Sequence, residues 1–297
     1  MTDDSDTDAD DVATETSPGG PEPTLETVLI TGCSSGIGRE TAKAFLDEDW
    51  QVYATARDTE AIADLADAGC KTAELDVTDR GQVERVVDRI VDEHGRIDCV
   101  VNNAGFAQMG PVEDVPTDKV HEQFDVNVYG PHRLIRAALP HMRESERGTI
   151  VNISSALGRI TIPGSGIYSA SKFAIESMSD ALRGEVDQYD VDVVVVEPGP
   201  VETEFYDRAD DELDDLPRSD AYGDLYEMYD DANTVSGGSP MSVTPTRVAE
   251  TILNAASSTN PDPRYPVGAA AKYFMLVRFV PDRWRDTVLR LVRKFAT

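Results

Sequence analysis

The chain has 297 residues, 40% of them apolar, enough for one large domain or two small ones. Its 56 acidic residues against 27 basic ones give a net charge of −29, a field that repels phosphate and excludes general nucleic-acid affinity. Cys33, Cys70 and Cys99 are too few and too scattered for a disulfide or metal framework, which points to a reducing, cytoplasmic compartment.

The first residues have no basic n-region and no apolar h-region, so they do not read as a secretory signal, and no apolar run reaches the length of a membrane span. Lysine is scarce, at positions 43, 71, 119, 172, 272 and 294 only. Acid excess with few lysines resembles the make-up of proteins from salt-loving archaea, where ionic screening makes self-repulsion tolerable; an ordinary acidic cytosolic protein is the alternative.

Residues 1–24 hold eight acidic residues, no basic ones and a Pro/Gly cluster, and read as a disordered, solvating tail. TVLITG (27–32) is a buried-strand run, followed by a Gly-rich turn and a helix over 37–49. QVYATAR (51–57), KTAELDV (71–77), IDCVVNNAG (97–105), GTIVNISS (148–155) and VDVVVVEPG (191–199) read as further strands. Between them the pattern predicts helices near 61–68, from Asp79 to about His94, from Thr117 to about Arg143 with a bend near Asn127, and after Gly164. Strand and helix alternate six times, which predicts an α/β fold: a doubly wound parallel sheet with helices on both faces, in one domain over 25–268. Residues 202–240 are acidic, rich in Tyr and without regular periodicity. TPTRVAETILNAA (244–256) is a capped amphipathic helix, and RYPVG (264–268) is a last strand, for about seven in all. From Lys272 the chain carries seven basic and two acidic residues, with Trp284, Val288, Leu291, Val292 and Phe295 at helical spacing, so 269–297 reads as a basic amphipathic extension.

Ligands of such sheets bind at the carboxyl ends of the strands, and every chemical motif of this chain lies at one of those ends. The turn Gly32-Cys33-Ser34-Ser35-Gly36-Ile37-Gly38 lets backbone approach a pyrophosphate docked on a helix N-terminus. Its spacing is G-x-x-x-G-x-G, not the general G-x-G-x-x-G; Cys33 reads as a small packing residue. Where NAD-binding sheets usually place an acid, the second strand ends Ala56-Arg57. Arg57 could hold a 2′-phosphate through its planar fork, favouring NADP; otherwise it is a solvated Arg. Asp76, with Val77 beside it, could accept from an adenine amino group. Asn102-Asn103-Ala104-Gly105 serves either close cofactor approach or bracing of the sheet. A serine of the pair Ser154-Ser155 could hydrogen-bond a substrate carbonyl. Tyr168 and Lys172, four apart on a helix, share one face. A cation beside a phenol favours the phenolate and lowers its pKa from about 10. Taken alone, such a pair is more often a half-buried Tyr beside a solvated Lys.

TGCSSGIG, NNAG, Asn127, Ser155, Tyr168-x-x-x-Lys172 and PGPVET together resemble the short-chain dehydrogenase/reductase family over roughly 27–203. The resemblance implies a Rossmann-type fold and an NADP(H)-dependent alcohol/ketone oxidoreductase. It implies Tyr168 as general acid/base and Lys172 as the residue that binds the nicotinamide ribose and lowers the tyrosine pKa. Ser155 would orient substrate, and Asn127 would bend its helix and hold a relay water. Pro198, Gly199, Val201 and Thr203 would grip the nicotinamide carboxamide. Residues 202–240 take the place of the family's substrate lid, and pairing through the long helix and the Tyr/Lys helix implies a homodimer or homotetramer. RYPVGAAAKYFMLVRFVPDR resembles 17β-hydroxysteroid and retinol dehydrogenase-like members, which suggests a hydrophobic substrate. The basic C-terminus either covers the pocket, meets a partner subunit or touches a membrane surface. Two rival readings are a 3-oxoacyl-carrier-protein reductase and a dinucleotide-sensing protein without catalysis.

Overall fold

The computed structural model describes residues 25–236, 242–277, 279–284 and 286–287. The expected acidic tail 1–24 and the end of the basic extension lie outside the described residues. Among the described residues, seven strands form one sheet in the order β3-β2-β1-β4-β5-β6-β7: β1 (Thr27–Thr31), β2 (Gln51–Ala56), β3 (Lys71–Glu74), β4 (Cys99–Asn102), β5 (Gly148–Ile153), β6 (Val191–Pro198) and β7 (Arg264–Val267). Every neighbouring pair is parallel. The chain reverses direction across the sheet between β1 and β4, the place where doubly wound sheets open a crevice.

The five inner strands are buried on both faces, so their side chains alternate between two cores, while β3 and β7 at the edges are only partly buried. Val28, Ile30, Val194 and Val196 face one way with Val52 and Ala54, under α1 (Gly36–Asp47), α2 (Ala63–Ala68) and α9 (Pro245–Ala256). Leu29, Val100, Ile150 and Val193 face the other way, under α3 (Arg80–His94), α5 (Gly130–Glu144) and α6 (Gly166–Val186). Each fully buried branched side chain contributes about 1.5–3 kcal/mol relative to exposure. The run Val193–Val196, continuous in sequence, therefore feeds both cores at once.

Helix starts follow local chemistry. Asp79 Oδ1 accepts from Gln82 N at 3.0 Å to cap α3, and Thr244 Oγ1 accepts from Arg247 N at 3.3 Å to cap α9. The long helix is bent where the sequence places the bend: α4 (Thr117–Phe124) passes through a π-helical turn at Asp125–Tyr129, which holds Asn127, before α5.

Two expectations need correction. β2 stops at Ala56, β3 at Glu74 and β4 at Asn102, so Arg57, Asp76 and Asn103 lie in the loops just beyond the strands. Segment 202–240 is not irregular: α7 (Phe205–Asp214) and α8 (Gly223–Ser236) lie in it. The apolar residues Phe205, Ala209 and Leu213 recur every fourth position and pack inward, a stripe that the surrounding acids obscure in the sequence. The basic extension begins as α10 (Ala269–Val277), whose start packs on Gly199.

At the amino end of the sheet, buried Asp98 ties three segments. It accepts from Thr27 N at 2.8 Å and faces Arg96 at 3.0 Å and Arg147 at 3.5 Å. Asp98→Ala removes the acceptor and strands a buried N–H beside two cations. We expect a loss of about 2–3 kcal/mol in stability, read as a lower urea midpoint; an unchanged midpoint would show that the cluster is decorative.

Candidate active site

A cavity of about 1140 Å³ opens at the carboxyl ends of the strands. The Gly-rich turn, the loops after β2 to β5, the start of α6, residues 198–201, Thr203 and the inner face of α7 line it. Its floor is built by hydrogen bonds between loops. Asn103 Nδ2 donates to Thr31 O at 2.8 Å and Gly32 O at 3.1 Å, while Thr31 Oγ1 accepts from the N–H groups of Asn103 and Ala104, each at 3.1 Å. The NNAG segment thus braces the Gly-rich turn from below. Asn102 Nδ2 donates to Asn152 Oδ1 at 2.7 Å, and Asn152 Nδ2 donates to Ser179 Oγ at 2.9 Å, joining β4, β5 and α6.

Gly38 is required by close approach. A Cβ there would lie 2.3 Å from Gly32 O and 2.4 Å from Asn103 Nδ2. The helix that follows is open to a ligand: Ser35, at the cap position of α1, is extended and makes no side-chain capping bond. The first N–H groups of α1, with the positive end of its dipole, suit an anion. Thr203 packs over Gly36 from the opposite wall. Cys33 is the packing residue expected: its thiol donates to Ile30 O at 3.3 Å, and burial pushes it up to about 12.

Ala56 is buried and Arg57 is exposed at the cavity mouth, with no carboxylate partner among the described residues. Asp76 Oδ1 accepts from Thr78 N at 2.8 Å and Thr78 Oγ1 at 2.7 Å, which orients the carboxylate on the cavity wall. Arg208 of α7, unrecognised in the sequence, lines the same cavity. Its guanidinium sits 4.6 Å from the Phe106 ring centroid, and burial followed by Arg57 lowers its pKa. A basic residue on an acidic stretch carries no local sign of which wall it faces, so only the fold identifies it.

Tyr168 lies in the first turn of α6, buried, and Ser155, in the turn just beyond β5, lines the same cavity and acts to lower the Tyr168 pKa. Ser155 Oγ accepts from Leu157 N at 3.1 Å. Lys172 Nζ donates to Ile153 O at 2.8 Å and stands 5.8 Å from the Tyr168 ring centroid. Among the protein's own groups, burial dominates the electrostatics. It pushes the Tyr168 phenol well above its ordinary value, against a lowering by Ser155, and pulls Lys172 down to about 8, against a raising by Glu176. A tyrosine lowered by Lys172, as the sequence suggests, is therefore not the state of the polypeptide by itself.

Asn127 and Gly38 are the two candidate residues that do not line the cavity. Asn127 Oδ1 accepts from Phe106 N at 3.1 Å and Nδ2 donates to Phe106 O at 2.9 Å, so it holds the loop after β4 from behind. The other candidates, Gly32, Ser34, Ser35, Gly36, Ile37, Arg57, Asp76, Val77, Asn103, Ala104, Gly105, Ser155, Tyr168, Lys172, Pro198, Gly199, Val201 and Thr203, all line it.

A family model described as short chain dehydrogenase matches residues 26–214. The chain belongs to the short-chain dehydrogenase family. It is 33% identical over 265 residues to the probable short-chain type dehydrogenase/reductase VdlC of Helicobacter pylori, covering 89% of this chain and 96% of that one. It is 32% identical over 270 residues to the NADPH-dependent 3-dehydrocapnine reductase of Ornithobacterium rhinotracheale, covering 88% and 94%. A short-chain dehydrogenase structure from Streptomyces avermitilis superposes with a TM-score of 0.77 at 32% identity, covering 93% of this chain and all of that one. The chain is thus an oxidoreductase of the type that acts on CH–OH groups.

Gly38→Ala is expected to force Gly32 and Asn103 apart and to weaken dinucleotide binding about tenfold or more, measured by equilibrium dialysis. Wild-type affinity in that variant would mean that the turn is not the cradle.

Proposed function

We propose that the protein is an NADP(H)-dependent oxidoreductase that interconverts a hydrophobic ketone and its alcohol. The observation that carries this reading is the convergence of Ser155, Tyr168 and Lys172 in the cavity that also holds the uncapped start of α1. The residues present fit the cofactor: the bare N–H groups of α1 and the close turn at Gly38 suit its pyrophosphate, and Arg57, with no carboxylate partner among the described residues, suits a 2′-phosphate. When bound, NADPH supplies the hydride. The 3-dehydrocapnine reductase similarity supports the same cofactor and a carbonyl substrate.

The chain's own groups handle the proton. As negative charge grows on the carbonyl oxygen, Ser155 Oγ donates a hydrogen bond and Tyr168 Oη delivers its proton. In the oxidative direction Tyr168 is the base. Lys172, fixed by Ile153 O, is the nearby cation that favours the phenolate left behind. Part of the remaining cavity wall is apolar: Phe106, Met109, Leu157, Ile162 and Leu213 exclude water there and receive the carbon skeleton. We assign α7 and α8 as the lid over that part, with Phe205 edge-on to Tyr168 at 5.9 Å between centroids.

Two variants test the reading, both assayed in molar salt to screen the self-repulsion of a −29 chain. Tyr168→Phe should lower turnover of an apolar ketone by at least about 100-fold with NADPH binding intact, followed by NADPH absorbance and fluorescence titration. Undiminished turnover would sink the mechanism. Arg57→Ala should weaken NADPH about tenfold or more and leave NADH within about twofold; equal losses for both would refute the cofactor assignment.

A further inference from the structure

Outside the cavity lining, one helical turn beyond Lys172, lies a buried group of charges that the hydride chemistry does not use. Glu176 is on α6 and is 5% exposed; Glu197, the residue before Pro198 on β6, is fully buried. Two arginines face them from other segments. Arg159, in the turn that follows Ser155, lies 3.5 Å from Glu176 and 3.7 Å from Glu197. Arg264 of β7 lies 3.1 Å from Glu176 and 3.4 Å from Glu197. Asp180, the next acid along α6, takes Arg264 at 2.6 Å and Arg183 at 2.8 Å. Lys172 is the remaining charge of this group, on the same helix. The turn is pressed close: a Cβ on Gly158 would lie 2.4 Å from Ser154 Oγ and 3.3 Å from both Glu176 Cγ and Lys172 Cβ. The cluster therefore links the serine turn, the Tyr/Lys helix and the strand that leads into Pro198-Gly199.

The proton count is set by the oxygens. Glu176 Oε1 and both carboxyl oxygens of Glu197 are buried and accept no hydrogen bond. The arginine contacts to Glu197 are longer than hydrogen bonds. Arg159 Nε, also buried and unpartnered, stands 3.7 Å from Glu197, beyond hydrogen-bond reach, so two carboxylates side by side and out of water do not both ionise at low cost, and one proton between them supplies the missing donor. The direction of the Glu197 pKa agrees: it is raised, by burial first and by Glu176 second.

We propose that Glu176 and Glu197 are positioning residues of the reaction: a carboxyl pair that shares one proton, and whose remaining negative charge holds the proton on Lys172 in neutral solution. This rests on the reading of Lys172 as the cation beside Tyr168. The sign follows from the surroundings of Lys172. Burial lowers its pKa to about 8 and Glu176 opposes that, so the ammonium is lost as pH rises through about 8. Without the Glu176 charge it is lost at a lower pH.

The test uses the full chain and two readouts that need no turnover. In NMR of protein carrying [13Cε]lysine, Lys172 is one of six lysines and is assigned with Lys172→Arg. The Lys172 titration is expected near pH 8 in the wild type and about one unit lower in the double variant Glu176→Gln, Glu197→Gln, in which neither carboxyl can take up the charge. Superimposable curves would overturn the proposal. In infrared spectra, wild type minus Glu197→Gln should show one carboxylic-acid C=O band at pH 6; its absence would overturn the shared proton. The wild type alone carries this arm even where a variant fails to fold, because the band should fade as pH rises. The basic limb of kcat/KM in that double variant should move down with Lys172. An NMR shift without that movement would overturn the role given to Lys172 and leave the carboxyl pair standing, whereas a purely structural pair would lower the melting temperature and move neither curve.

Discussion

Parallel pairing of all seven strands is the constraint from which the rest follows. A parallel strand needs a crossover before it can pair again, so each strand hands its carboxyl end to a loop on the same edge. Residues 31–38, 57, 76, 103–105, 155 and 198–203 are far apart in the chain and become neighbours for that reason alone. Side chains from the loops and helices then fasten these loops to one another and to the strand ends. Asn103 bonds to the turn after β1, Asn127 to the loop after β4, and Lys172 to the last carbonyl of β5. Rigidity on this edge comes from side-chain amides and one ammonium rather than from ladder hydrogen bonds.

Burial shapes the chemistry within that frame. Enclosing Tyr168 and Lys172 disfavours the charged form of each, so the polypeptide holds a neutral phenol beside an ammonium that is easily lost. A neutral phenol is the form needed to give a proton to a nascent alkoxide. An ammonium is the form needed to tolerate the phenolate that results. Acidic groups behind the site reconcile the two demands: Glu176 favours the ammonium without touching the phenol. The arginines Arg159 and Arg264 keep that acid from carrying its charge unpaired.

Much of this was legible in the residues. The Gly-rich turn, the presence of each strand and the bend at Asn127 show in the residues, whereas the strands read one to three residues too long at their carboxyl ends because turn residues continue their apolar runs. The order of strands in the sheet is long-range, yet the alternation of strand and helix leaves few topologies open. Other features resisted. The apolar stripe Phe205, Ala209 and Leu213 sits among so many acids that α7 reads as a loop. Arg208 and the Glu176–Glu197 pair have no motif, since their meaning lies in which other segment they meet. The relation of Tyr168 to Lys172 was legible as geometry but not as energy, because sequence spacing reports proximity and carries no measure of desolvation.

The central claim is that Tyr168 is a protein-buried acid that becomes easy to ionise only when positive charge is gathered beside it. The most direct measurement is the ionisation of Tyr168 itself, followed by NMR of [13Cζ]tyrosine protein and assigned with Tyr168→Phe, with and without NADP+. Without the dinucleotide the phenol should titrate above an ordinary tyrosine, and NADP+ should bring it down toward neutrality. A phenol that titrates at the same high pH in both states would contradict the account.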